Sequence, residues 1–394
     1  MNIKIENLIT FKESFDDENE IIKYGQSIIQ NNDQFEISII KETNLNFQNK
    51  NNLLFGIFDG HNGSEVSKYL SLHFSQFLLE NNNFINGNYK KSLIETFINL
   101  DASFRSLQVQ LELSKYSIKQ EQNINKKNNN DFFEDFLEIF NPRNLEGVNI
   151  AEFCGSCGLV ILITEKKVYI ANAGNSKCVP INNKNEVIND KINREHTIKD
   201  EYEIGRLNKI FGFNISDNNQ NNKDRFINDF PLLTTRGFGD LCFKDNKLIN
   251  LEDQYIYIVP DIIEIPIESL KYLIIGNYCC FNDDNDKLSL ERYFLNKYDE
   301  NKKQKNISKI IEEFFYEKIS ENEIINQMDI NINKIGSIII EFKSEKNLNN
   351  INNIVLDEAN DTNENSIKKN KGDDEDEDQY FFLFKQNKTN MKLL

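Results

Sequence analysis

The chain has 394 residues, with 46 Lys and Arg against 63 Asp and Glu, for a formal net charge of −17. That excess of negative charge argues against nucleic acid or an anionic membrane surface as the main partner. Hydrophobic residues make up 39%, mean hydropathy is −0.57, and no apolar run approaches the ~20 residues of a membrane span, so a soluble protein is expected.

Six cysteines in so long a chain, two of them adjacent at Cys279-Cys280, fit reduced thiols and a cytoplasmic setting. The stretch Met1–Glu6 lacks the basic and apolar layout of a signal peptide. Abundant Asn, Ile and Lys, often in Asn runs, suggest an AT-rich coding genome; a protist, with a cytoskeletal or ciliary complex as home, is consistent with that bias.

Residues 1–20 are polar and read as an N-terminal extension. Ile21–Ile29 and Gln34–Ile40 read as strands on either side of the turn-like Gln30-Asn31-Asn32-Asp33, and Glu42–Asn52 as an Asn-rich loop. Leu53–Phe58 is a run of strand formers that ends in Asp59-Gly60-His61-Asn62-Gly63. A helical pattern follows at once, with Val66, Tyr69, Leu70, His73, Phe74, Phe77 and Leu78 on one face. A buried strand that delivers a carboxylate to a glycine turn can build a metal or phosphate site; it can equally be a plain corner in which Asp59 serves the turn. A second amphipathic helix is expected over Lys90–Leu113, with Leu93, Ile94, Phe97, Ile98, Phe104 and Leu107 on its stripe.

Residues 114–149 read as an insertion whose Phe132–Phe140 stretch is either a docking helix or a satellite helix. Cys157–Thr164 and Val168–Ala173 predict a hairpin across Glu165-Lys166-Lys167, with a further strand at Cys178–Ile181. Lys199–Ile210 predicts a helix that stops near Gly212. Residues 213–229 and 282–301 read as two more polar insertions, the latter a charged loop. Pro231–Thr235, Ile256–Val259, Tyr272–Gly276 and Ser337–Phe342 are strand candidates, and Ile307–Ile319 a helix. From residue 343 to 394 an Asn-rich tail leads to the acidic run Gly372–Asp378, whose self-repulsion disfavours a packed fold. Tyr380, Phe381, Phe382 and Phe384 then form an aromatic cluster that reads as a docking peptide or added strand.

Five stretches in this order resemble one family. Phe55-Gly56-Ile57-Phe58-Asp59-Gly60-His61-Asn62-Gly63 looks like its F-G-V-F-D-G-H-G-G, and Gly155-Ser156-Cys157-Gly158 like its G-S-T-A. Tyr169–Lys177 is similar to Y-V-A-N-V-G-D-S-R, and Glu195-His196 with Glu201 and Arg206-Leu207 to D-H…E…R-I. Leu233–Asp240 is close to L-A-V-S-R-A-F-G-D. The family is the metal-dependent PPM-type (type 2C) serine/threonine protein phosphatases; the resemblance covers roughly Tyr24 to Phe342, within a domain placed at residues 21–342. It implies an α+β fold, a four-layer α-β-β-α sandwich of two antiparallel sheets flanked by helices. It also implies two Mg²⁺ or Mn²⁺ ions held by aspartates, a metal-activated water that attacks the phosphate ester, and a histidine acid.

Carried over residue by residue, Asp33 matches the N-terminal acidic ligand, Asp59 the bridging aspartate, Gly60 a carbonyl ligand and His61 the general acid. Other positions fail. Asn32 stands where a glutamate often precedes the acidic ligand, and Asn175 replaces the aspartate of G-D-S-R. Tyr272–Asn282 aligns with F-L-I-L-A-S-D-G-L-W-D so that Tyr278 takes a metal aspartate's place, and a slip of one offers only Asn277 or Cys279. Lys334 replaces the final metal aspartate of D-N-M-T-V-I-V, and no arginine precedes Arg105 to grip phosphate. The expected protein is therefore a pseudophosphatase without bound metal, a scaffold, regulator or subunit of a larger assembly that contacts other proteins. Lys334 is expected to pair with Asp59 or Asp33 in place of a cation. The alternative is an active phosphatase whose two Mg²⁺ or Mn²⁺ ions use an altered ligand set.

Outside these motifs, Cys154-Gly155-Ser156-Cys157 has C-x-x-C spacing, yet a zinc site needs a second spaced pair, so buried small thiols are the simpler reading. His73 reads as a core or edge residue, and His196 as a cap for the helix after it.

Overall fold

The computed structural model describes residues 9, 11–30, 36–47, 50–121, 149–211, 234–244, 250–281, 289–298, 306–325 and 334–343. The chain divides into two units, Met1–Lys343 and Ser344–Leu394. The second unit, with the acidic run and Tyr380, Phe381, Phe382 and Phe384, lies outside the described residues, as do Asn32, Asp33 and the Phe132–Phe140 stretch.

Two antiparallel sheets carry the first unit. One has the order β1-β2-β11-β10-β7, from Phe11–Glu18, Ile22–Gln30, Lys334–Phe342, Leu270–Gly276 and Lys177–Asn182. The other has the order β3-β4-β5-β6-β9, from Ile37–Phe47, Lys50–His61, Gly155–Ile163, Lys167–Ala173 and Asp261–Pro266, with the short β8 (Phe238–Gly239) on β5. The α+β sandwich expected from the sequence is the fold found.

The strands that form the centre are those with the longest apolar runs. Every residue of β5 is buried, as befits a strand covered on both faces. Between the sheets lies a core of Ile28, Phe55, Ile57, Leu159, Ile161, Leu273, Ile275, Ile338 and Ile340. Helices α1 (Glu65–Leu79) and α3 (Tyr89–Ser103) cover the other face of the second sheet through Phe74, Leu78, Leu93 and Phe97, packed with Phe58, Val160 and Phe238. Later helices are α4 (Leu107–Glu121), α5 (Glu201–Phe211), α6 (Leu290–Lys297) and α7 (Ile307–Ile325), after the one-turn α2 (Asn82–Ile85). Phe294 of α6 and Ile310, Ile311, Phe314 and Phe315 of α7 pack on Ile274, Ile339 and Tyr272 of the first sheet. Among the described residues no helix is long and apolar enough to cross a membrane.

Several local expectations are corrected by pairing partners. Phe11–Glu18, placed in an N-terminal extension, is edge strand β1, aligned with β2 from Phe11↔Gln30 to Glu18↔Lys23. The Glu42–Asn52 loop is instead the far end of the β3–β4 hairpin, with Leu45 opposite Asn52. The single helix over Lys90–Leu113 breaks at Phe104–Ser106 into α3 and α4, which leaves Leu107 70% exposed. The start of the 114–149 insertion continues α4, and the 282–301 loop contains α6. Ile256–Val259 forms no strand, only a bridge from Tyr257 to Arg236.

Candidate functional site

The first site residues sit where β4 ends. Register places Asp59 opposite Ile37 on one side and Cys157 on the other, so its carboxylate lies at the edge of the inter-sheet gap. Glu36, just before β3, organises the turn that follows. Its carbonyl accepts from Gly60 N–H (3.0 Å) and Ser67 Oγ (2.6 Å), and its carboxylate accepts from Gly63 N–H (3.3 Å). A Cβ on Gly60 would lie 2.8 Å from the Glu36 carbonyl, so the turn closes only with glycine there.

From the opposing sheet, the first residue of β11 enters this cluster. Lys334 Nζ lies 2.8 Å from Glu36 Oε2 and 3.0 Å from Asp59 Oδ1, and also donates to the Gly60 carbonyl. Burial works against its charge, but the Asp59 and Glu36 carboxylates outweigh it and hold the ammonium well above the ordinary lysine range. Asn277, after β10, adds a second crossing. Its Nδ2 donates to Asp59 Oδ2 (3.3 Å) and to the Lys334 carbonyl (3.4 Å), while its Oδ1 accepts from Gly336 N–H (3.2 Å).

His61 is the last residue of β4. Its Nε2 is 2.8 Å from Asp240 Oδ2, and Asp240 is 1% exposed in a left-handed conformation with φ 49°. Burial opposes protonation of His61, yet the Asp240 carboxylate prevails and raises its pKa. The Asp240 turn is anchored from below, where Asp101 Oδ1 accepts from Gly239 N–H (2.9 Å) and Lys244 Nζ (2.7 Å).

The structure thus brings together Asp59, Gly60, His61 and Lys334. Asp33 lies outside the described residues, and the carboxylate found beside Lys334 with Asp59 is that of Glu36. Glu36 escaped the sequence reading because the polar cluster before β3 carries no register; only the Ile37↔Asp59 pairing reveals it. From the turn after β10 it is Asn277 that reaches Asp59, while Tyr278 opens the next 3-10 turn. Asn175 sits beyond β6, where its Oδ1 accepts from Cys157 Sγ (3.3 Å).

The other polar candidates serve structure. Cys154 and Cys157 are buried free thiols, and burial with the nearby Asp59 pushes Cys157 up to about 12. Among the described residues no three His, Cys, Asp or Glu side chains are grouped to hold a metal. His73 pairs with Glu112 at 2.7 Å. His196, expected as a helix cap, instead accepts from Gly174 N–H at Nδ1 (3.1 Å), which leaves Nε2 to donate to Asp261 Oδ2 (3.1 Å). The buried Arg236 joins the same Asp261 at 3.0 Å and Glu203 of α5 at 2.6 Å.

The comparisons with known proteins agree with this architecture. The family model for Protein phosphatase 2C matches residues 25–117 and 110–277. "Probable protein phosphatase 2C 5" of Paramecium tetraurelia is 29% identical over 225 residues, 57% of this chain and 62% of that relative. "Probable protein phosphatase 2C 6" of the same organism is 27% identical over 270 residues, 68% of this chain and 77% of that relative. The crystal structure of a serine-threonine phosphatase 2C from Toxoplasma gondii superposes with a TM-score of 0.56 at 11% identity, covering 84% of this chain and 99% of that one.

Proposed function

Because the chain belongs to the protein phosphatase 2C family, we propose that it is a non-catalytic member, a pseudophosphatase that acts by binding other proteins. The observation that carries this reading is the Lys334 ammonium between Glu36, Asp59 and the Gly60 carbonyl. The family is Mg²⁺- or Mn²⁺-dependent, and its chemistry needs cations that polarise a phosphate and lower the pKa of a water. Hard divalent ions demand a shell of oxygen donors with enough negative charge to offset their own. Among the described residues the two carboxylates at the centre, Glu36 and Asp59, already share one internal cation, and Asn277 contributes a neutral amide.

A cation brought to about 4 Å from that ammonium meets roughly 4 kcal/mol of repulsion per unit of its charge at an effective dielectric of ~20. The described residues at this centre do not fit a pair of divalent ions. The His61–Asp240 pair persists, but with no activated water before it the pair has no leaving group to protonate.

The test is direct. With millimolar Mn²⁺ or Mg²⁺, the full chain should release no phosphate from phosphoserine or phosphothreonine peptides beyond a protein-free control. Turnover above that control would establish the altered-ligand enzyme instead.

A further inference from the structure

We infer that the outer face of α4 is a docking surface for this chain's own aromatic stretch Phe132–Phe140, which covers Leu107 and Leu111. The contact holds whether or not the chain turns over phosphate, and it gives the insertion an internal partner.

Helix α4 carries apolar residues on two sides. Val109 and Leu113 are buried in the core beneath it. Polar contacts fix that side on α1: Glu112 Oε1 lies 2.7 Å from His73 Nε2, and Ser117 Oγ donates to Glu65 Oε1 (2.5 Å). Leu107 and Leu111, one turn apart on the opposite side, are 70% and 57% exposed. Among the described residues no other large apolar side chain is as exposed as Leu107. A single exposed leucine is ordinary, but two stacked on a helix already anchored by its other face form a stripe that calls for a cover.

The path of the chain says what covers it. Helix α4 ends at Glu121, about 22 Å from its start at ~1.5 Å per residue. The chain re-enters at Asn149, whose Nδ2 donates to the Phe104 carbonyl (2.9 Å), just before α4 begins. Residues 122–148 therefore have to return along the length of α4, and α1 already occupies its inner side. The aromatic stretch lies in the middle of that return, between the flanks 122–131 and 141–148. At about 3.3 Å per extended residue, either flank exceeds the length of the helix.

The chemistry fits. Phe132, Phe133, Phe136, Leu137 and Phe140 have the spacing of one helical face, with Asp131, Glu134, Asp135 and Glu138 on the remaining positions. Lys115, exposed one turn after Leu111, offers a positive charge to those carboxylates. The tether gives the stretch an effective concentration on the order of millimolar, which a separate protein does not have. A second copy would have to bring together two chains of net charge −17.

Hydrogen exchange on the full-length chain and its L107S/L111S variant, with sedimentation velocity on both, tests the docking. In the unaltered chain the amides of residues 132–140 should exchange at least about tenfold more slowly than in a synthetic peptide of residues 128–144. L107S/L111S should bring them to the peptide's rate while the β5 amides stay protected, and both proteins should sediment as monomers. Peptide-like exchange in the unaltered chain, or protection that survives L107S/L111S, would overturn the proposal. A dimer that dissociates in L107S/L111S would give the stripe to a second copy and overturn it as well. Should L107S/L111S unfold β5, Leu111→Cys decides. Its thiol should react with a maleimide about fivefold more slowly than the same thiol in a chain that also carries F133S/F136S. Equal rates would leave the stripe uncovered and contradict the docking.

Discussion

Gly155 shows how tightly single residues constrain the site. A Cβ at this position would lie 2.2 Å from Asp240 Oδ2 and 2.5 Å from His61 Nε2, inside the pair that links the two residues. Gly155→Ala should cost about 1–3 kcal/mol, as overpacking of a rigid interior does, read as a lower urea midpoint at unchanged slope. Equal midpoints would show that Asp240 can swing away freely. Asp59, Gly60, His61 and Lys334 were legible from motif spacing because they end or begin strands whose apolar runs fix their position. Glu36 was not, and Asn277 was named only as a slip of one from Tyr278. Both stand in turns, where a shift of one to three residues changes no local pattern, and only cross-strand register places them.

At the scale of elements, the second sheet is stitched to α5 by buried charge. Glu203 of α5 pairs with Arg236 and Arg206, Arg236 also pairs with Asp261 at the start of β9, and His196 donates to that same Asp261. Burial disfavours charge on both carboxylates, but the neighbouring His196 and arginines hold Asp261 far below the ordinary carboxylate range and the arginines hold Glu203 below it as well. Burial likewise holds His196 below an ordinary histidine. In each case the unfolded chain binds protons more readily than the folded one, so stability rises with pH. The contribution of these three groups should be full above about pH 6.5, begin to fall as an unfolded histidine would protonate, and drop further below about pH 4, against the opposite slope that the raised pKa of His61 adds. Equilibrium unfolding at stepped pH checks this, and Asp261→Asn should flatten the profile. An unchanged profile in that variant would remove Asp261 from the account.

The strands that were readable in the sequence, β2, the start of β3, β4, β5, β6, β7, β10 and β11, carry β-rich apolar runs. Strand β1 was missed because its Phe11-Lys12-Glu13-Ser14-Phe15-Asp16-Asp17-Glu18 lies at a sheet edge and buries little. Strand β9 is likewise an edge strand, and its pairing with β6 supplies what local composition does not.

For the whole molecule, the family sandwich is retained while its centre carries an internal positive charge. Buried Phe, Ile and Leu cover both sheets, while Asp59, Gly60, His61 and Lys334 stand at strand ends. This separation explains how the fold was legible from five motifs although Asn175, Tyr278 and Lys334 depart from the motifs they align with. Core periodicity specifies the sheets, whereas the chemistry depends on a few side chains at strand ends. The most direct measurement of that account is a calorimetric titration of Mn²⁺ into the unaltered chain, with Asp59→Asn as reference. The account predicts the same heats for both proteins, with no saturable binding that depends on Asp59. Two ions per chain bound to the unaltered protein and lost in Asp59→Asn would contradict it.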